Sequence, residues 1–273
     1  MINGHTKIYG ILGRPVAHSL SPAMHNAAFR ELGVNAIYAA FPVTDLAQAV
    51  AGLRGLNIQG ASVTIPFKEE IIPWLDSLDP QAACMGAVNT VVNRQGRLTG
   101  YNTDWLGAVT ALKGRTEIAG KHFFILGAGG AARAIAFGVF QEGGRFTLTD
   151  LDMPRAAALA RDLGGEAVTL NDLAQCPATI LINATPVGLA PDVEGIPIDP
   201  NLLPRFTLVM DIVYRPLTTR LLREAELRGC AVIDGLQMLI HQATAQFELW
   251  TEKKAPLEVM SKAAYAALGE VEK

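Results

Sequence analysis

Residues 122–136 read HFFILGAGGAARAIA, a short apolar run followed by a glycine-rich turn and a stretch of small helix-forming residues. The spacing Gly127-x-Gly129-x-x-Ala132 gives each small residue a physical task. Gly127 allows a tight turn off a strand, and Gly129, with Ala128 between the two, lets backbone N–H groups come close to a pyrophosphate. Gly130, Ala131 and Ala132 let the next helix lie close on its strand, and the N-terminus of that helix offers partial positive charge to phosphate oxygens. A second β-rich run, 146–149, ends at Asp150, about 20 positions beyond the first glycine, where an acid binds an adenosine ribose diol. A turn with packing duty only predicts no acid there. The stretch therefore predicts a dinucleotide-binding βαβ unit.

The same alternation extends in both directions. Apolar runs at 7–12, 36–41, 61–65, 123–126, 146–149, 180–182, 208–212 and 231–233 are separated by helical patterns, which predicts an α/β fold of mostly parallel sheets. Ser21-Pro22 reads as a cap and first-turn proline before a helix over 23–32, and Gly33 supplies the positive φ that ends it. Gln95-Gly96 between 90–93 and 97–99 reads as a hairpin, the one antiparallel interruption. A helix over 105–112 and a fresh βαβ series from Phe123 place a domain boundary near residue 105. The chain thus reads as an N-terminal α/β domain, 1–105, and a Rossmann-like, doubly wound dinucleotide-binding domain, 106–236. Helices over 237–273 return to complete the first.

Charge selects the cofactor. A carboxylate at Asp150 accepts from both ribose hydroxyls and repels the extra phosphate of NADP, and Asp152 adds to that repulsion, so NAD is expected. Arg155, in the region where such a phosphate would lie, keeps NADP as the alternative.

Composition excludes other classes. Lys plus Arg total 23 against 26 Asp plus Glu, and no basic tract could neutralise a run of phosphates, so nucleic acid is not an expected partner. The most apolar stretch, 123–140, is broken by Arg133 and rich in Gly and Ala, so no membrane span is expected. The start of the chain lacks a charged-then-apolar leader, and Cys84, Cys176 and Cys230 are scattered without C-x-x-C spacing, which suits reduced, buried thiols in a cytoplasm. The five histidines show no metal-ligand spacing, so no metal is expected.

The first domain gathers polar residues around strand ends, where an open α/β sheet binds ligands. They fall at 18–22, 63–68, 86–90 and 100–104. Taken singly, Ser21 and Thr103 read as caps, Lys68 as a solvated lysine, Asp104 as a helix-start acid and Asn89 as a turn bridge.

Taken together they resemble the shikimate dehydrogenase family. The matching motifs are Ser19-x-Ser21-Pro22-x-x-His25-Asn26, Val63-Thr64-x-Pro66-Phe67-Lys68, Gly86-Ala87-Val88-Asn89-Thr90 and Gly100-x-Asn102-Thr103-Asp104. The second half adds the glycine turn with Arg133-Ala134, Asn183-Ala184-Thr185-Pro186-x-Gly188, Asp211-x-x-Tyr214-x-Pro216 and Gly235-x-x-Met238-Leu239-x-x-Gln242. The resemblance implies reversible reduction of 3-dehydroshikimate to shikimate by a nicotinamide cofactor, on the route to chorismate and the aromatic amino acids. It makes the first domain the substrate domain. Carried onto matching positions, Ser19 and Ser21 bind the substrate carboxylate, Thr64, Asn89 and Gln242 its hydroxyls, and Tyr214 completes substrate binding. Lys68 and Asp104 form the catalytic pair and also touch substrate, while Ile212 and Gly235 join the glycine turn in holding the cofactor.

The chemistry agrees with those roles. Hydride transfer to a ketone builds negative charge on oxygen, which needs a proton donor or cation, and a polyhydroxylated acid needs several neutral hydrogen-bonding groups. One departure concerns the cofactor: NADP users of the family usually carry Asn-Arg-Thr where this chain has Asp150-Leu151-Asp152. Asp at that place is similar to NAD-using quinate/shikimate dehydrogenases, so quinate stands as second substrate. A non-catalytic shikimate sensor on this fold would be expected to lack Lys68 or Asp104, and both are present. The partner expected is a small molecule, with a homodimer also open.

Overall fold

The computed structural model describes residues 2–271. Twelve strands and nine α-helices are found among them: β1 (Lys7–Gly13), α1 (Ser21–Glu31), β2 (Ala36–Pro42), α2 (Leu46–Gly55), β3 (Gly60–Val63), β4 (Ser77–Leu78), α3 (Pro80–Met85), β5 (Thr90–Arg94), β6 (Arg97–Tyr101), α4 (Asp104–Lys113), β7 (His122–Leu126), α5 (Gly130–Gln141), β8 (Arg145–Thr149), α6 (Met153–Leu163), β9 (Glu166–Ala167), β10 (Ile180–Asn183), β11 (Leu208–Asp211), α7 (Arg220–Leu227), β12 (Ala231–Ile233), α8 (Gly235–Thr251) and α9 (Leu257–Val271). The chain divides into two compact units, Met1–Thr103 with Ile240–Lys273, and Asp104–Leu239.

The first unit holds a six-stranded sheet in the order β2-β1-β3-β5-β6-β4. β1 pairs in parallel with β2 and β3, and β5 runs antiparallel to both β3 and β6. The hairpin turn has positive φ at both Gln95 and Gly96, the geometry whose twist matches the flanking strands. Leu12, Val50, Leu53, Val63, Ile71, Val88, Val91 and Leu98 fill the core on one side of this sheet. The edge strand β2 is blunted by a side chain: Asn26 donates to the Tyr38 carbonyl and accepts from the Tyr38 N–H, both at 2.8 Å. The closing helix α9 packs on α1.

The second unit is a six-stranded, all-parallel sheet in the order β12-β11-β10-β7-β8-β9. Numbered from β7, that is the 3-2-1-4-5-6 order of a doubly wound dinucleotide fold, and its chain reversal falls between β7 and β10. The central strands β7, β10 and β11 are buried on both faces, which explains their apolar runs.

Two expectations need correction. Ser21 is the first residue of α1 and follows its N-cap, Leu20, which has no side-chain cap; the Ser19 hydroxyl accepts from the Ser21 N–H at 3.2 Å instead. Cys84 is exposed, because Ala82 and Met85 form the inward face of the short helix α3. The two-residue strands β4 and β9 are too short for any alternation to announce them.

Gly60 of β3 makes room for α8. The Trp250 indole N–H donates to the Val91 carbonyl at 3.0 Å, and a Cβ on Gly60 would lie 2.3 Å from the Trp250 Nε1 atom and 2.9 Å from Val91 O. Gly60→Ala is therefore expected to displace the indole and to destabilise the chain by about 1–3 kcal/mol. A lowered urea midpoint with an unchanged m-value checks this.

Candidate active site

In the second unit, strand register brings the expected cofactor residues to one edge. Leu126 of β7 lies level with Thr149 of β8 and Asn183 of β10, so Gly127, Asp150 and Ala184 leave the sheet side by side. Gly127 has φ +107°, its N–H donates to the Thr149 carbonyl at 2.7 Å, and a Cβ there would stand 3.0 Å from Ala184 O. Gly129 is the N-cap of α5 and gives that helix no side-chain acceptor, while the space beside its Cα is open. The Asp150 carboxylate accepts from the Ala128 N–H at 2.7 Å and the Asp152 N–H at 2.9 Å, so the acid is tied to the turn it is expected to serve. Asp152 also caps α6 by accepting from the Arg155 N–H at 3.1 Å. An uncapped helix start, a backbone open at Gly129 and a fixed carboxylate beside it together fit a dinucleotide.

Ile212 and Gly235 also meet. A Cβ on Gly235 would come within 2.3 Å of Ile212 O, so only glycine lets α8 start against that backbone. Beneath Ile212 lies a fully buried carboxylate. Asp211 accepts from the Thr219 hydroxyl (2.7 Å), the Asn183 amide (2.9 Å) and the Val213 N–H (3.0 Å). The Asn183 oxygen in turn accepts from the N–H and hydroxyl of Thr185. The loop after β10, the loop after β11 and the start of α7 are thereby joined on one acid. Its burial outweighs those three hydrogen bonds and raises its pKa to about 6. Tyr214, on the same loop, is half-buried, and burial raises its pKa too.

In the first unit, Thr64 leaves β3 and lies over Gly13, whose absent Cβ would stand 2.3 Å from the Thr64 methyl group. Ile65–Pro66 is a cis peptide, and the Lys68 carbonyl accepts from the Val88 N–H at 2.8 Å, which fixes the backbone carrying this half-buried lysine. Asn89 is buried among hydroxyls and amides. Its oxygen accepts from the Thr103 N–H at 2.7 Å and the Thr90 hydroxyl at 2.6 Å, and its nitrogen faces Thr103 Oγ1 at 3.0 Å and Gln242 Oε1 at 3.3 Å. Asp104, buried, follows Thr103 directly and opens α4. Of the expected substrate residues, the structure thus brings Asn89 and Gln242 into contact.

His25 lies in a box of aromatic rings, stacked on Tyr38 at 4.5 Å and flanked by Phe29, Phe247 and Trp250. Full burial lowers its pKa to about 3, so it stays neutral through the physiological range and serves packing.

Comparison with known proteins matches this organisation. A model of the shikimate dehydrogenase substrate binding domain matches residues 11–91, and one of the shikimate 5'-dehydrogenase C-terminal domain matches 235–265. A shikimate dehydrogenase (NADP(+)) from Pyrococcus furiosus is 46% identical over 99% of both chains. The chain belongs to the shikimate dehydrogenase family. Two solved members of the family share its fold. The Thermus thermophilus enzyme in complex with NADP(H) and shikimate is 41% identical with a TM-score of 0.90, covering 96% of this chain and 100% of that one. The Listeria monocytogenes enzyme in complex with shikimate and NAD is 37% identical with a TM-score of 0.88, covering 96% and 97%. Nicotinamide dinucleotides are thus the cofactors of the family, and no helix among the described residues is long and apolar enough to cross a membrane.

The motifs that hold Asn183 and Asp211 point to a loop near the nicotinamide for Asn183-Ala184-Thr185 and to no task for Asp211. Their signal is polar identity at the last position of an otherwise apolar parallel strand. Asp211 also gives the site a pH signature. Its folded pKa lies above the unfolded 3.8, so the folded state binds the extra proton between those values, and stability falls as pH rises from 4 through 6. Asp211→Asn is expected to remove about 1–3 kcal/mol of that fall. Denaturant unfolding of both proteins at pH 4, 5, 6 and 7 measures the difference, and parallel curves refute it.

Proposed function

We propose that the chain catalyses the reversible, nicotinamide-dependent reduction of 3-dehydroshikimate to shikimate. The observation that carries this reading is the buried group of neutral amides and hydroxyls at Asn89, Thr90, Thr103 and Gln242, with Asp104 next to Thr103 in the chain. A polyhydroxylated acid needs such neutral partners, and relatives along the whole chain are shikimate dehydrogenases.

In this reading Ser19 and Ser21 bind the carboxylate, Thr64, Asn89 and Gln242 the hydroxyls, and Tyr214 adds to substrate binding. When bound, the dinucleotide supplies or takes the hydride at the ring carbon. Lys68 and Asp104 hold and move the proton at the oxygen on that carbon: one is delivered as the ketone becomes an alcohol, and one is removed in the reverse direction. Lys68→Ala is expected to lower kcat by about 10²–10⁴-fold while dinucleotide affinity, read by fluorescence titration, stays near wild type. Retained turnover removes Lys68 from the mechanism.

For the cofactor we favour NAD over NADP. Asp150 puts a negative charge where the ribose diol belongs, and the fully exposed Leu151 beside it has no cation to offer a phosphate. The Pyrococcus relative is described as NADP-dependent, and the Listeria enzyme was solved with NAD. Initial rates with shikimate and quinate, each with NAD and NADP, decide both questions at once. Shikimate with NAD is expected to be fastest; a faster NADP column assigns cofactor choice to Arg155, and faster quinate assigns the second substrate. Asp150→Ala is expected to raise the KM for NAD about ten-fold and narrow the gap between the two cofactors. An unchanged ratio rejects the ribose role.

A further inference from the structure

Three polar side chains at one edge of the second sheet are fully buried: Asn183 at the end of β10, Asp211 at the end of β11 and Thr219 at the N-cap of α7. Burial of a carboxylate and an amide side by side is costly unless every donor and acceptor is met, so the partners they meet show what the group holds in place. One Asp211 oxygen accepts from the Asn183 amide at 2.9 Å and from the Val213 N–H at 3.0 Å, and the other accepts from the Thr219 hydroxyl at 2.7 Å. The Asn183 nitrogen gives its second hydrogen to the Val187 carbonyl at 3.3 Å, and the Asn183 oxygen accepts from the Thr185 N–H at 3.1 Å and the Thr185 hydroxyl at 2.6 Å. Thr185 Oγ1 accepts from the Val187 N–H and Thr219 Oγ1 from the Leu222 N–H, each at 3.3 Å.

The bond directions agree with one another. The Thr185 N–H can only donate, so the Asn183 atom facing it is the oxygen, and the nitrogen is turned toward Asp211, whose ionised carboxylate can only accept. Both amide hydrogens of Asn183 and the hydroxyl hydrogens of both threonines are therefore used inside the protein, and none is left for a ligand. What the group fixes is backbone: the loop from Ala184 to Val187, the loop at Ile212 and Val213, and the first turn of α7.

Both loops lie against expected dinucleotide residues. Ala184 O and the Thr185 methyl group stand 3.0 and 3.2 Å from the place of a Cβ on Gly127, and Ile212 O and Val213 O stand 2.3 and 2.6 Å from the place of one on Gly235. The strand order reverses between β7 and β10, and a dinucleotide on a doubly wound sheet straddles that reversal. Asp150, just after β8, draws the adenosine half to the β7–β8 side, which leaves the exits of β10 and β11 to the nicotinamide half.

We propose that Asp211, Asn183 and Thr219 are positioning residues for the nicotinamide half of the dinucleotide, acting through the two loops they hold. This rests on the reading that the second unit binds a nicotinamide dinucleotide. Loss of one bond in the group loosens the loops after β10 and β11 and leaves the glycine turn and Asp150 untouched.

The test compares the whole dinucleotide with its adenosine half on wild type, Thr219→Val and Thr219→Ser. The probes are NADH or NADPH, whichever wild type binds more tightly, followed by its fluorescence, and ADP-ribose, or its phosphorylated counterpart for NADPH, followed by displacement. Thr219→Val keeps the shape and leaves one Asp211 oxygen without its donor; it is expected to raise the Kd for the reduced dinucleotide about ten-fold with the Kd for the ADP-ribose probe within about two-fold. Thr219→Ser keeps the hydroxyl and is expected to restore dinucleotide binding. An unchanged dinucleotide Kd in Thr219→Val, an equal loss of both probes, or a serine variant as weak as the valine one overturns the proposal. If Thr219→Val does not fold by circular dichroism, Asp211→Asn, which sets an amide against Thr219, is read the same way, with about a three-fold rise in the dinucleotide Kd expected and no rise refuting it. Failure of the wild-type chain to bind either dinucleotide removes the functional reading and this proposal together; wild-type binding with unmoved variants removes the proposal alone.

Discussion

Polar side chains at the exits of apolar strands are the constraint on which this structure depends. A parallel sheet covered on both faces has no room for unpaired polar groups, so each side chain at its carboxyl edge must find a partner on a neighbouring exit. Asp211 at the end of β11 holds Asn183 at the end of β10, and Asp150 after β8 holds the Ala128 N–H after β7. In the first unit Asn89, which precedes β5, holds the Thr103 N–H just after β6. Each bond joins two loops that the sheet alone would leave independent, and each loop carries residues of the candidate site.

Much of this was legible in the sequence because it rests on local rules. The glycine turn and the acid after the next strand are fixed by steric limits on backbone approach, and the structure puts Gly127 and Asp150 at one level through the β7–β8 register. The hairpin at Gln95-Gly96 follows from the φ values that two-residue turns require. The family resemblance rested on motifs that the fold places at strand ends.

What the sequence withheld is non-local. Ser62 and Gln246 lie far apart along the chain and touch only because α8 returns to the first sheet. Tyr38 reads as one aromatic residue in an apolar strand, and its partnership with Ser62 depends on two further strands pairing beside it. Ser21 resembled a cap because serine before proline so often is one; the hydroxyl of Ser19 supplies the local hydrogen bond instead. Residue type alone favours burial of Cys84, and a six-residue helix with one inward face overrides that preference.

Helix α8 carries a constraint on how this chain can vary in length. Its first residue, Gly235, rests on the Ile212 backbone, and Gln242, Gln246 and Trp250 follow at four-residue spacing with partners at Asn89, Ser62 and Val91. One residue inserted or deleted ahead of Gln242 would turn everything beyond it by about 100° and detach three buried groups together. Loops elsewhere can lengthen at small cost, whereas the interval from Gln242 to Trp250 acts as a ruler that sets which buried partner each side chain of the helix meets.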